Sequence, residues 1–127
     1  MNELDVRVLK SVATSARGTT DILRYLPCFD AIDVRNSIFR MKEGEMIVLV
    51  ENMYAITALG KEELVFWALS TGDKTAPVLA TETGLSTVDV ALALVGLVNK
   101  RRVCECSYGQ TRVLFSVQKP SGEDGGM

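Results

Sequence analysis

Two patterns alternate along the chain. Apolar residues spaced three and four apart give way to short runs of β-branched residues, which read as amphipathic helix and strand respectively. Sliding the chain 56 residues along itself, Ile38 onto Leu94, brings these patterns into register through three helical stretches without a gap. Leu9 falls on Val65, Val12 on Ala68, Thr19 on Thr75, Ile22 on Val78 and Leu23 on Leu79. Phe29 falls on Leu85, Asp30 on Ser86, Asp33 on Asp89, Val34 on Val90 and Met41 on Leu97. Few of these pairs are identities; what repeats is the placing of apolar and capping residues.

Asp30 and Ser86 are expected helix N-caps, since their side-chain oxygens can accept from the free amides of a first helical turn. Asp33 and Asp89 follow three residues later, as in a capping box with Asp in place of Glu or Gln. Phe29 with Val34, and Leu85 with Val90, are spaced as hydrophobic staples. Each capped helix leads to a hairpin-like stretch. The first is Met46–Val50, a turn near Glu51 and Asn52, then Tyr54–Thr57; the second is Val103–Cys106, a turn around Tyr108, Gly109 and Gln110, then Val113–Val117.

Each half therefore reads as helix, helix, capped helix, hairpin, a mainly α arrangement with small β-hairpins (α+β). The expected division is 1–58, 59–118 and a mobile tail, 119–127, which has no core-forming residues. A helix from about Thr57 to Ser70 closes the first unit and opens the second. Its Leu59, Leu64, Phe66, Trp67 and Ala68 exceed what one lone face needs, so it is expected to be buried against both halves and to make the pair rigid.

The second half resembles winged helix-turn-helix domains. Ala76-Pro77-Val78-Leu79-Ala80-Thr81-Glu82-Thr83-Gly84-Leu85-Ser86 is similar to the family's LA-x-x-x-GLS turn. Val90, Leu94 and Leu97 stand at the buried positions of its third helix, and Lys100-Arg101-Arg102-Val103 leads into the wing. In the first half, Tyr54-Ala55-Ile56-Thr57-Ala58-Leu59-Gly60 is similar to the Y-x-L-T-x-x-G wing exit. The resemblance covers residues 3 to 118. It implies two winged helix-turn-helix domains in tandem, with a third helix in the major groove of double-stranded DNA and a wing along the backbone. Winged helices also serve purely as protein-binding units.

The two third helices differ where they are not buried. The first offers Arg35, Asn36, Arg40 and Lys42; Arg and Asn are shaped for bidentate contact with guanine and adenine edges. Arg35, Asn36 and Arg40 are the expected base readers, and Arg24 and Lys42 the expected phosphate contacts. A plain solvated face is the competing explanation, favoured by Asp33, Glu43 and Glu45 nearby. The second helix has Ala91, Leu92, Val95 and Gly96 at the places of Arg35, Asn36, Phe39 and Arg40. Ala91, Val95 and Gly96 read as a dimer or partner interface, or else as a face buried against the first half. Lys100, Arg101 and Arg102 form a dense basic run that can touch phosphates at the wing base, with Arg112 a further candidate.

Charge limits these expectations. The chain has 14 Lys and Arg against 16 Asp and Glu, a net charge of -2, so DNA contact has to come from a local basic patch. The 47% hydrophobic content suits a folded globular protein. The charged start, MNELDVRVLK, has no apolar leader core, and Val88–Val98 is shorter than the roughly 20 residues of a membrane span. Three cysteines and no histidine favour a reducing interior over a disulfide framework and remove the commonest general base. Cys104 and Cys106, two apart in a strand, point to opposite faces and do not make a zinc site. Gly72-Asp73-Lys74-Thr75 lacks the earlier glycine of a phosphate loop and reads as a helix stop before a Thr75 N-cap. Trp67 is expected in the core.

These expectations describe a non-enzymatic transcription regulator, cytoplasmic or nucleoid-associated, acting as a homodimer on double-stranded DNA without metal or cofactor. The alternative is a tandem winged-helix subunit that binds a protein partner in a larger complex.

Overall fold

The computed structural model describes residues 1–108 and 112–117, with the side chains of 106–108 and 112–114 left undescribed. The expected mobile tail and most of the second hairpin tip lie outside the described residues. So do the side chains of Cys106 and Arg112.

Helix α1 (Glu3–Ser11) is followed by α2 (Thr19–Tyr25), α3 (Ala31–Glu43) and a hairpin of β1 (Ile47–Val50) and β2 (Met53–Ile56). The same order then recurs as α4 (Ala58–Leu69), α5 (Ala76–Thr83), α6 (Thr87–Asn99), β3 (Val103–Tyr108) and β4 (Arg112–Val117). The molecule is mainly helical with two small antiparallel sheets, one per hairpin. In each half the segment before the second helix adds a single bridge to the far side of the returning strand, Arg17 to Tyr54 and Lys74 to Phe115.

Local chemistry explains most element ends. Ser86 accepts from the Asp89 amide at 3.1 Å, as expected of an N-cap. Thr57 caps α4 by accepting from the Gly60 amide at 3.0 Å, and its hydroxyl donates to the Glu45 carbonyl at 2.6 Å. Gly84 ends α5 at φ 79°, left-handed backbone that glycine adopts without a Cβ penalty. The Asp30 and Thr75 caps differ from expectation: neither side chain bonds its helix. Asp30 stays in water, where its charge still faces the positive end of α3. Asp89 does not close a box; it pairs with Lys61 at 3.1 Å. The full capping box is at α1, where Asn2 accepts from the Asp5 amide and Asp5 accepts from the Asn2 amide.

The buried apolar residues of both halves belong to one cluster. Val6, Leu9, Ile22, Val34 and Ile47 come from the first half, and Leu79, Val90, Leu97 and Val103 from the second. Between them lie Leu64 and Val65 of α4, both fully buried. As expected, α4 packs on both sides: against α1 and β2, and against α5, α6 and β4. Trp67 lies partly buried against the cluster, with the Lys10 ammonium 5.4 Å from its ring centre. Gly60 is required where α4 begins. A Cβ there would collide with the Met46 carbonyl oxygen and lie 2.8 Å from Ile56 Cγ1. Among the described residues no single helix is long and apolar enough to cross a membrane.

Candidate nucleic-acid interface

Helix α3 buries Val34, Ser37, Ile38 and Met41. At about 100° per residue, the line opposite them runs through Ile32, Asn36, Phe39 and Glu43. Arg35 and Lys42 flank that line on one side, Arg40 and Asp33 on the other. All eight are exposed, Ile32 at 71% and Phe39 at 62%. The outermost strip of the helix thus carries two large apolar groups between its cations. Neither Ile32 nor Phe39 is among the expected contact residues, although their spacing from the buried residues places both outward.

Arg35 and Lys42 border a groove of about 320 Å³ with Thr19 of α2, Ile38 and Phe39 of α3, and Tyr54 of β2. This groove joins the third helix to the hairpin. Arg24 is exposed in the last turn of α2. Among the described residues, Arg24, Arg35, Lys42 and Arg101 have no carboxylate within ion-pair distance.

The other expected contacts are engaged inside the molecule. Arg40 Nη2 donates to Asp5 Oδ1 at 2.7 Å, although the Arg40 side chain remains 47% exposed. Ser37 Oγ donates to the same oxygen at 2.6 Å. Burial pushes the Asp5 carboxyl up, but the bonds from Ser37, Arg40 and the Asn2 amide, with the Arg40 charge, prevail and hold it below its ordinary 3.8. This junction of α1 and α3 joins residues more than thirty apart, and no local pattern announces it. Lys100 pairs with Glu62 at 2.7 Å. Arg102 forks onto Glu63 and stacks over Phe66, 4.0 Å from the ring centre. Of the run Lys100-Arg101-Arg102, only Arg101 is left outside an ion pair.

The first hairpin carries no cation: from Met46 to Ile56 the one charged residue is Glu51. Its turn residues Glu51 and Asn52 both have positive φ, 52° and 66°, the two-residue geometry that suits the twist of a hairpin.

Helix α6 presents a different surface. Val88 and Leu92 are each 66% exposed and Val95 58%, along the line that Ile32, Asn36 and Phe39 occupy on α3. Ala91 is exposed beside them. Gly96 is half-buried, with the Glu62 carboxylate over it. Ala91, Val95, Leu94 and Val98 also line a groove of about 390 Å³ closed by Ala76, Asn99, Glu105 and Phe115.

No protein-family model matches the chain, and no curated protein does. Among solved structures, a mutant of ZitR from Lactococcus lactis aligns at 17% identity over 75% of this chain and 69% of its own, with a TM-score of 0.48. The adhesin competence repressor AdcR from Streptococcus pyogenes aligns at 18% identity over 69% of this chain and 59% of its own, with a TM-score of 0.47. Wild-type ZitR in complex with DNA aligns at 18% identity over 68% and 62%, with a TM-score of 0.43. At such scores the likeness assigns neither a family nor a function, and this chain's own residues have to carry both.

Proposed function

We propose that the protein is a non-enzymatic, double-stranded DNA-binding transcription regulator built of two winged helix-turn-helix units in tandem, 1–58 and 59–118, and that α3 is its reading helix. The supporting observation is the exposed third helix on which Arg35, Asn36 and Lys42 stand without carboxylate partners. Arg35 and Asn36 take base edges, and Phe39 beside them suits a thymine methyl group. Arg40 adds the guanidinium donors that Asp5 leaves free. Arg24, Lys42 and Arg101 take phosphates; Lys100 and Arg102 join them only by giving up Glu62 and Glu63. The exposed strip of Ala91, Val95 and the half-buried Gly96 is assigned to a second copy or a protein partner.

Anisotropy titration against a random-sequence duplex pool at about 50 mM salt, followed by selection of the tightest site, tests this. Arg35→Ala with Asn36→Ala is expected to weaken binding to the selected site at least tenfold, since each bidentate contact discriminates by roughly 1–3 kcal/mol. Arg40→Ala is a poorer probe because it also strips Asp5 of a partner. No duplex binding at low salt, or binding unchanged in the double variant, overturns the assignment.

A second function is favoured by the apolar faces of α6 and of β1, whose Val48, Leu49 and Val50 are exposed: a subunit that binds a protein partner and no nucleic acid. It predicts the first of those negative outcomes.

A further inference from the structure

A groove between the third helix and the hairpin occurs in both halves, and the repeat allows the two to be compared wall by wall. In the first half it is lined by Thr19, Arg35, Ile38, Phe39, Lys42 and Tyr54. In the second, Ala76 stands where Thr19 does, as the first residue of the second helix. Ala91, Leu94, Val95 and Val98 take the places of Arg35, Ile38, Phe39 and Lys42. Phe115 takes the place of Tyr54, since each makes the single bridge to the segment before the second helix. The walls are retained, and both cations are replaced by apolar groups.

Glu105 then reverses the sign of the groove. It lies directly across the ladder from Phe115, as Leu49 lies across from Tyr54. Two residues along β3 is the buried Val103, so Glu105 belongs to the face of the strand turned toward the core. Its exposed carboxylate stands at the rim of a groove whose other lining residues, Asn99 apart, are apolar. Lys61, Lys74, Lys100 and Arg102 of this half each hold another carboxylate, and among the described residues no cation pairs with Glu105. A lone carboxylate is satisfied while the groove holds water. An occupant that displaces this water has to bring a compensating charge, or the carboxylate is stranded. The chemistry of the walls therefore selects an apolar body with one positive group and disfavours an anion.

We propose that this groove is a binding site for a small organic cation, an alkyl or aryl amine. Its apolar body lies between α6 and the hairpin, against Leu94, Val95, Val98 and Phe115, and its ammonium donates to the Glu105 carboxylate. Asn99 on the same rim offers an amide oxygen to a further N–H. The volume of about 390 Å³ falls within the roughly 300–1,000 Å³ of small-molecule sites. Val88 and Leu92, which project from α6 into solvent, do not line it, so the groove is smaller than the apolar strip of that helix. The site stands whether or not α3 reads DNA.

Methyl NMR of the full chain, titrated with phenylbutylammonium, phenylbutanol and phenylbutanoate, tests this. The three probes share an apolar body and differ in charge. The ammonium is expected to bind saturably with a Kd of about 1 mM or tighter, as suits so small a molecule, with shifts centred on Ala91, Leu94, Val95 and Val98. The anion should bind about tenfold more weakly, because it meets repulsion where the ammonium meets attraction. Glu105→Gln should weaken the ammonium about fivefold, the upper end for a partly solvated ion pair, and leave the alcohol unchanged. Val98→Lys places a cation where the first half has Lys42, at an exposed position, and should abolish the ammonium shifts while circular dichroism stays native. If that variant misfolds, Glu105→Gln decides. Equal binding of ammonium and anion overturns the proposal, as does ammonium binding unchanged in Glu105→Gln. Shifts centred outside the groove, for instance on Val48–Val50, or no saturable binding up to about 10 mM overturn it too.

Discussion

At the residue scale, Asp5 shows how one buried carboxylate ties two helices. It is 5% exposed and charged, and it is tolerated because Ser37, Arg40 and the Asn2 amide surround it with donors. Hydrogen bonds to a charged group contribute about 1.5–3 kcal/mol, so Asp5→Ala is expected to destabilise the fold by about 2 kcal/mol in urea unfolding at pH 7. The pH dependence follows from the lowered carboxyl. A group whose folded pKa lies below its unfolded value stabilises fully above the unfolded value and loses that contribution as pH falls through the folded one. The gap between wild type and variant should therefore be constant above about pH 5 and shrink below the ordinary 3.8. A gap independent of pH down to 2 would mean that the charge of Asp5 contributes nothing. Neither partner could be foreseen: Arg40 stands at a position that looks solvent-facing and free, and only the packing of α1 on α3 brings Asp5 beneath it.

At the element scale, the sequence was most legible where the chemistry is local. Ser86 caps α6 and the Glu51–Asn52 turn lies where expected, because each is decided within four residues. Asp30 takes the N-cap position of α3 without a side-chain cap bond, and its charge acts on the helix only through the positive end of the dipole. The basic run Lys100-Arg101-Arg102 shows the limit for the candidate site. Its neighbours in sequence give no hint of Glu62 and Glu63, which α4 brings against two of its three cations. Gly60 shows a motif whose mechanical cause becomes plain only in three dimensions. It stands in the wing-exit pattern because α4 starts directly over the Met46 carbonyl. Gly60→Ala must push the helix off the hairpin and is expected to cost about 3 kcal/mol, the upper end of ordinary overpacking. Thermal unfolding checks this. A loss under 0.5 kcal/mol would show that the hairpin yields freely.

At the scale of the whole molecule, the repeat in sequence does not divide the core. Both halves have the same order of elements, but α4 is shared, and its Leu64 and Val65 lie in the cluster that also holds Ile22 and Leu79. The first set, α1 to β2, packs against α4 through α1 and β2, and the second set contains α4 itself. Unfolding is therefore expected as a single transition, with calorimetric and van't Hoff enthalpies equal. Leu64→Ala probes the coupling. Truncating a fully buried leucine costs about 2–5 kcal/mol, and a common core spreads that cost over both halves. Amide exchange of Val34 and Ile38 in α3, and of Val90 and Leu94 in α6, should accelerate together by a similar factor. Faster exchange confined to α6, with α3 unchanged, would show two cores that merely touch. Helix α3 would then fold independently of the apolar surface on α6, and a partner bound there would have no rigid path through α4 to the exposed face of α3.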